Sequence, residues 1–197
     1  DIGPEAVKLQ AKTFERLVIG QIKETQGKSD GLSQIDHYMK VVADKTGSLI
    51  ATSARFGALL SGANAQTVEA LTKFGEKIGV AFQVADDLLD ITSDETASGK
   101  TPGTDLKEGV PTLVTLYVIA ADNPADKELI AKLNRPIPES DLPGVITQLR
   151  LHKALTEVKE YLANVAKEAN SLLTDLPEGV AKEALKNLTF ALVNRST

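Results

Sequence analysis

The chain of 197 residues has no cysteine and no tryptophan, a single methionine, two histidines and only 4% aromatic residues. Without thiols it has neither a disulfide framework nor a thiolate metal centre, a composition that fits a reducing cytoplasm. His37 and His152 stand far apart in sequence and neither belongs to a Glu-x-x-His pattern, which argues against zinc and di-iron sites of the helical-bundle kind. Basic charge is not in excess. Lys and Arg number 22 against 27 Asp and Glu, a net charge of −5, so nothing points to a nucleic-acid partner. No apolar run is long enough to cross a bilayer, and no signal-peptide pattern occurs.

What remains is a chain of ordinary globular composition, with 42% hydrophobic and 25% charged residues and enough length for one domain with a sizeable core. Its apolar spacing is helical almost throughout, predicting a single all-α domain over residues 1–197, a bundle with short loops. Val7, Ala11, Phe14, Val18 and Ile22 form one amphipathic stripe, with Pro4 in the first turn and Gly27 at the end. Ser33 and Asp36 make a capping pair for a second helix, and Asn64 caps a helix expected over residues 65–91. Between them KTGSLIATSARFGALLSGA (residues 45–63) is rich in small residues that let helices approach closely. Residues 93–111 read as a loop, and residues 134–143, with three prolines, as a connector. Leu113–Ile119 would suit a buried strand but finds no alternating partner, so it is assigned to a helix. Leu151, Leu155, Val158, Leu162, Val165, Ala169 and Leu172 mark a heptad-like seam, short enough for a bundle helix rather than a coiled coil. A last helix ends near Asn194.

Three aspartates interrupt the most apolar helix. Asp86, Asp87 and Asp90 lie in GVAFQVADDLLDI, surrounded by Phe74, Ile78, Val80, Ala81, Phe82, Val84, Ala85, Leu88, Leu89 and Ile91 on all sides. A helix apolar all round is buried. Asp86 and Asp90 are four apart and share a face, with Asp87 beside them. On a wet surface such repulsion is small, but inside a bundle each ion costs several kcal/mol unless compensated. The spacing therefore calls for cations. All available ligands are oxygens, which suits Mg²⁺ or Mn²⁺, and Mg²⁺ characteristically completes its shell with water and phosphate oxygens. A phosphate ester or diphosphate is the natural third party. Lys100, between Gly99 and Thr101-Pro102-Gly103, and Asp105 beyond it follow directly on the aspartates. The bland alternative, a solvated acidic face, requires that the apolar neighbours not be core.

GVAFQVADDLLDI followed by GKTPGTDLKEGVPTL resembles the second aspartate-rich region of the trans-isoprenyl diphosphate synthases, the polyprenyl synthetase family. KTGSLIATSARFGALLSGA resembles the family's Lys-Thr segment, and GQIKE (residues 20–24) its Gly-Gln-x-x-Asp/Glu segment. The resemblance runs from about residue 4 to 120 in matching order and spacing. It implies an all-α bundle of the isoprenoid synthase type with its site in a central cavity, usually as a homodimer. It also implies Mg²⁺-dependent head-to-tail condensation of isopentenyl diphosphate with an allylic diphosphate, and peripheral membrane contact for the lipid product. Carried over residue by residue, it makes Asp86, Asp87 and Asp90 metal ligands and gives Asp105 a metal-bound water. Lys45 and Lys100 become diphosphate contacts. Thr46 and Gln83 become dipoles near the allylic cation, and Gln21 and Glu24 line the cavity.

The resemblance has gaps. Val110 stands where many relatives carry a lysine, and no first Asp-Asp-x-x-Asp region with its arginine pair occurs in these residues. The expectation is therefore the C-terminal part of a longer enzyme, incomplete at its N-terminal side. A class I terpene cyclase is disfavoured because the helix after Thr112 offers no Asn/Ser/Glu metal triad. A non-catalytic regulatory synthase subunit is disfavoured because the aspartates are retained. With half of the metal cage missing, residues 1–197 alone are expected not to turn over. Incorporation of radiolabelled isopentenyl diphosphate into longer prenyl products by this chain by itself would overturn that expectation.

Overall fold

A computed structural model describes residues 3–28, 31–93 and 102–194; all its regular structure is helical, and no strand occurs among the described residues. The elements are α1 (Gly3–Gln26), α2 (Gln34–Val42), a π-helical turn (Ala43–Gly47), α3 (Ser48–Leu60) and α4 (Ala65–Thr92). There follow α5 (Thr104–Glu108), α6 (Leu113–Ala121), a 3₁₀ turn (Pro124–Asp126), α7 (Lys127–Leu133), α8 (Leu142–Leu151), α9 (Lys153–Ser171) and α10 (Val180–Asn194). Among the described residues no helix is long and apolar enough to cross a membrane. The chain forms two compact units. One holds the residues through Gln83 together with Ala163–Asn194, the other Val84–Leu162.

In the first unit the predicted caps form as read. Ser33 Oγ accepts the Asp36 amide at 3.0 Å and donates to the Asp36 carboxylate at 2.7 Å. Asn64 Oδ1 accepts the Thr67 amide at 2.8 Å. The packing face of α1 is not the one its bulky residues suggested. Val7, Phe14 and Ile22 are exposed, Phe14 to 66%, while Ala6, Thr13 and Gly20 are buried at intervals of seven. Small residues win this face because the neighbours come too close for large ones. A Cβ added at Gly20 would lie 2.9 Å from the Lys45 amide nitrogen and 3.0 Å from Asp44 Cβ. The same logic joins α3 to α4. A Cβ on Gly75 would meet Ala51 Cα at 2.8 Å, and one on Gly79 would meet Gly47 Cα at 2.7 Å. Phe74, Ile78, Ala169, Leu173 and Leu192 form a hydrophobic core beside this contact.

In the second unit the expected loop contains a short helix, α5, whose Leu106 is buried. The Ile137 amide donates to the Leu106 carbonyl at 3.0 Å and so ties the proline-rich connector to α5. The segment from Leu113 is helical, with Leu113, Val114, Leu116 and Val118 buried. The heptad seam is interrupted. His152 adopts extended backbone and ends α8, leaving Leu151 85% exposed, while Leu155, Val158 and Leu162 of the seam are buried. His152 itself starts α9. Its Nδ1 accepts the Ala154 amide at 3.0 Å, and its Nε2 lies 3.1 Å from Asp126 Oδ2. From Phe74 to Thr92, α4 is buried or half-buried at every position except Phe82 and Asp86.

The glycine contacts make a direct prediction. Gly79→Ala should cost about 1–3 kcal/mol by overpacking against Gly47. Gly57→Ala, also in a helix but with open space around it, should instead stabilise by about 0.5–1 kcal/mol. Urea unfolding of the two variants tests the contrast; equal effects would mean that the α3–α4 approach is looser than described.

Candidate functional site

The carboxylates predicted from the sequence gather at the C-terminal end of α4 and the start of α5. The helix does not turn all three aspartates inward. Asp87 is buried at 8% exposure and Asp90 is half-buried, but Asp86 lies on the open strip with Phe82 one turn before it. This corrects the expectation that Asp86 and Asp90 share a buried face. Asp90 has a role the spacing could not reveal. Its Oδ1 accepts the Thr104 amide at 3.1 Å and its Oδ2 the Asp105 amide at 3.0 Å, while its own carbonyl accepts the Gly103 amide at 2.8 Å. Gly103 makes the turn possible, with φ of +84° and no room for a side chain against Ile146 Cδ1. Asp105 is thereby held beside the others. Burial, and then the charges of Asp90, Asp87, Asp86 and Glu108, push its carboxyl up to about 7 from an ordinary 3.8. Among the described residues no three His, Asp or Glu side chains converge closely enough to hold a metal ion in the chain as it stands.

Lys45 and Thr46 lie in the π-helical turn, a local geometry found frequently at functional sites. Lys45 Nζ donates to Glu24 Oε2 at 2.7 Å, and Gln21 Nε2 donates to the same oxygen at 2.9 Å. Three predicted residues are thus brought into one bonded group. Thr46 Oγ1 donates to Gln83 Oε1 at 3.0 Å, fixing the orientation of that amide. Lys100 lies outside the described residues.

Two arginines escaped the sequence reading. Arg150 donates from Nε to the Ile91 carbonyl at 2.8 Å and from Nη2 to the Ser93 carbonyl at 2.9 Å, satisfying the C-terminal end of the aspartate helix with a cation. Arg16, on α1, reaches Asp44 and Glu76. Neither belongs to a recognisable motif, so no local signal marks them. An apolar groove of about 550 Å³ runs between α1 and α3, lined by Phe14, Leu17, Leu49, Phe56 and Leu60 among others, and contains none of the predicted residues.

The Polyprenyl synthetase family model matches residues 2–148. Among curated proteins, a nonaprenyl diphosphate synthase of Mycobacterium tuberculosis is 42% identical over 195 residues, covering 98% of this chain and 58% of the relative. A dimethylallyltranstransferase of the same organism is 34% identical, covering 95% of this chain and 57% of the relative. Among solved structures, geranylgeranyl pyrophosphate synthase from Corynebacterium glutamicum, complexed with calcium and isoprenyl diphosphate, superposes with a TM-score of 0.90. It is 38% identical, with 98% of this chain and 60% of that chain covered. Heptaprenyl diphosphate synthase from Staphylococcus aureus gives 0.87 at 30% identity, with 99% and 61% covered. The chain thus spans about three-fifths of the length of these relatives.

The burial of Asp105, together with the charges around it, sets the sign of a pH effect. A carboxyl raised to about 7 keeps its proton in the fold where the unfolded chain has lost it. Its contribution to metal-free stability is therefore most favourable below about pH 4, declines as pH rises toward 7, and is flat above. Asp105→Asn removes the penalty. Its melting temperature should exceed that of the parent chain by several degrees at about pH 8 and match it at about pH 4. A shift equal at both pH values in calorimetry with EDTA present would show that charge crowding is not its cause.

Proposed function

The chain belongs to the polyprenyl synthetase family, and from that footing we propose that it carries the diphosphate-handling half of a prenyl-chain elongation site. The observation that carries this reading is the carboxylate group at the end of α4, where Asp90 accepts the amides of Thr104 and Asp105 and so brings a fourth carboxylate beside Asp86, Asp87 and Asp90. The reaction joins isopentenyl diphosphate to an allylic diphosphate. The allylic carbon–oxygen bond breaks and diphosphate departs. The alkene of isopentenyl diphosphate attacks the carbocation, a proton is lost to the released diphosphate, and the product is five carbons longer.

Donor chemistry is the test of whether a divalent ion fits. The candidate ligands are all carboxylate oxygens, and their mutual repulsion is what a dication relieves. In this reading Asp86, Asp87 and Asp90 hold Mg²⁺ or Mn²⁺, with Asp105 on a coordinated water. The ion, when bound, supplies positive charge to the departing diphosphate. The protein's own residues do the rest. Lys45 contacts diphosphate oxygens and, to do so, exchanges its bond to Glu24 for one to substrate. Lys100 is a second such contact. Thr46 orients Gln83, so that an amide dipole is fixed before the reaction begins and need not reorganise during it. Gln21 holds Glu24 in place while Lys45 leaves. No side-chain general base is required. A cytoplasmic location and a homodimer, to which the exposed apolar residues of α1 are suited, belong to the same reading.

Calorimetric titration of the chain with inorganic pyrophosphate tests this proposal. Binding is expected with Mg²⁺ present and not with EDTA. Asp87→Asn and Lys45→Ala should each weaken it on the order of tenfold, the loss of one charged contact. Binding indifferent to EDTA and to both substitutions would sink the reading.

A further inference from the structure

The π-helical turn that carries Lys45 and Thr46 is held from several sides through its backbone and through Asp44. Gly20 of α1 lies against the backbone at Asp44 and Lys45, and Gly79 of α4 against Gly47. Between these contacts the turn's acidic residue is gripped at both oxygens. Arg16 Nε binds Asp44 Oδ1 at 3.2 Å and Lys23 Nζ binds Asp44 Oδ2 at 2.9 Å. The guanidinium of Arg16 has two further partners. Its Nη2 lies 3.4 Å from the Ala43 carbonyl, at the start of the turn, and 2.8 Å from Glu76 Oε1 on α4. Ser48 Oγ donates to the Asp44 carbonyl at 2.6 Å, closing the far end.

We infer that Arg16 is a positioning residue: its fork ties α1, the π turn and α4 together through Asp44, Ala43 and Glu76, and so fixes the direction in which Lys45 and Thr46 are presented. The physical argument is one of valence. A π turn has poorer hydrogen bonding than an α-helix and reverts unless its surroundings define it. Three acceptors on two segments, two of them charged, need a donor with several N–H groups in fixed relative directions, which guanidinium offers and ammonium does not. The environment agrees. Burial draws the Arg16 charge down, but its bonds to Glu76 and Asp44 more than restore it, leaving its pKa above the ordinary value.

The claim that the turn is held by Arg16 stands on geometry alone, and only the step from turn to diphosphate rests on the function proposed above. The test therefore has two arms on the same 197-residue chain, with Arg16→Gln, Arg16→Lys and Asp44→Asn. The first arm is amide hydrogen exchange by NMR. Arg16→Gln should speed exchange of the Lys45–Ser48 amides on the order of tenfold while leaving α10 unchanged, with Arg16→Lys falling between. The second arm is pyrophosphate affinity in Mg²⁺, expected to fall in parallel. Equal exchange in parent and Arg16→Gln overturns the inference, as does full recovery of both readouts in Arg16→Lys. Faster exchange with unchanged pyrophosphate affinity overturns the link from turn to ligand. If the parent chain binds no pyrophosphate while exchange still responds, the proposed function fails and the hold on the turn stands. Should Arg16→Gln not fold, Asp44→Asn reads the same two arms, because it removes the charge and one of the two acceptor oxygens without emptying the space Arg16 fills.

Discussion

Backbone touches backbone where α3 meets α4, and the arrangement of the first unit depends on that contact. Gly75 and Gly79 on α4 face Ala51 and Gly47, with no space for another carbon between them. Such closeness is available only to residues without side chains, and it forces the rest of the interface to be thin. Gly20 repeats the device on the other side of the π turn. The helix carrying Lys45 and Thr46 is thus squeezed between two neighbours at glycine, and the charged groups of Arg16, Lys23, Asp44 and Glu76 gather around the squeeze rather than within it.

The second unit is governed by electrostatic crowding instead. Asp87 is buried, Asp90 spends its two oxygens on backbone amides, and Asp105 is brought in by those same amides. A structural bond therefore assembles a group that is costly by itself. Arg150 sits at the end of the same helix, but its guanidinium is directed to carbonyls. In the proposed reading this group of carboxylates receives a divalent ion, which is the link between the packing and the proposed chemistry.

Much of this was legible in the sequence, and what was not has identifiable causes. The caps at Ser33 and Asn64 announced themselves because a cap is a local bond over three residues. The long apolar helix was readable from its composition. The π turn was not, because the backbone of Val42, Ala43, Gly47 and Ser48 keeps ordinary right-handed helical angles and a lone glycine does not distinguish it from an α-helix. Periodicity located two faces on α1 but could not tell which one packs, and bulk was the wrong guide where glycine sets the distance. The seam through Leu151 and Leu155 continued across a break that one histidine makes. Spacing and apolar neighbours give Asp86 and Asp90 a common environment, whereas the fold leaves Asp86 exposed and Asp90 half-buried although they stand one turn apart. Pairings such as Asp90 with Asp105, or Arg16 with Glu76, join residues 15 and 60 positions apart and leave no local trace.

The π turn has a consequence for how this chain tolerates changes in length. It is in effect one surplus residue lodged in an otherwise unbroken helical rod from Gln34 to Leu60. Deleting one residue there would let the rod heal into a continuous α-helix with its downstream face nearly unrotated, because the wider turn absorbs the surplus residue within itself. Ala51 would keep its place against Gly75. The extra residue therefore serves the presentation of Lys45 and Thr46 and not the packing of α3, so a chain shortened at this point would keep its helix contacts and lose the widened backbone from which those two side chains project.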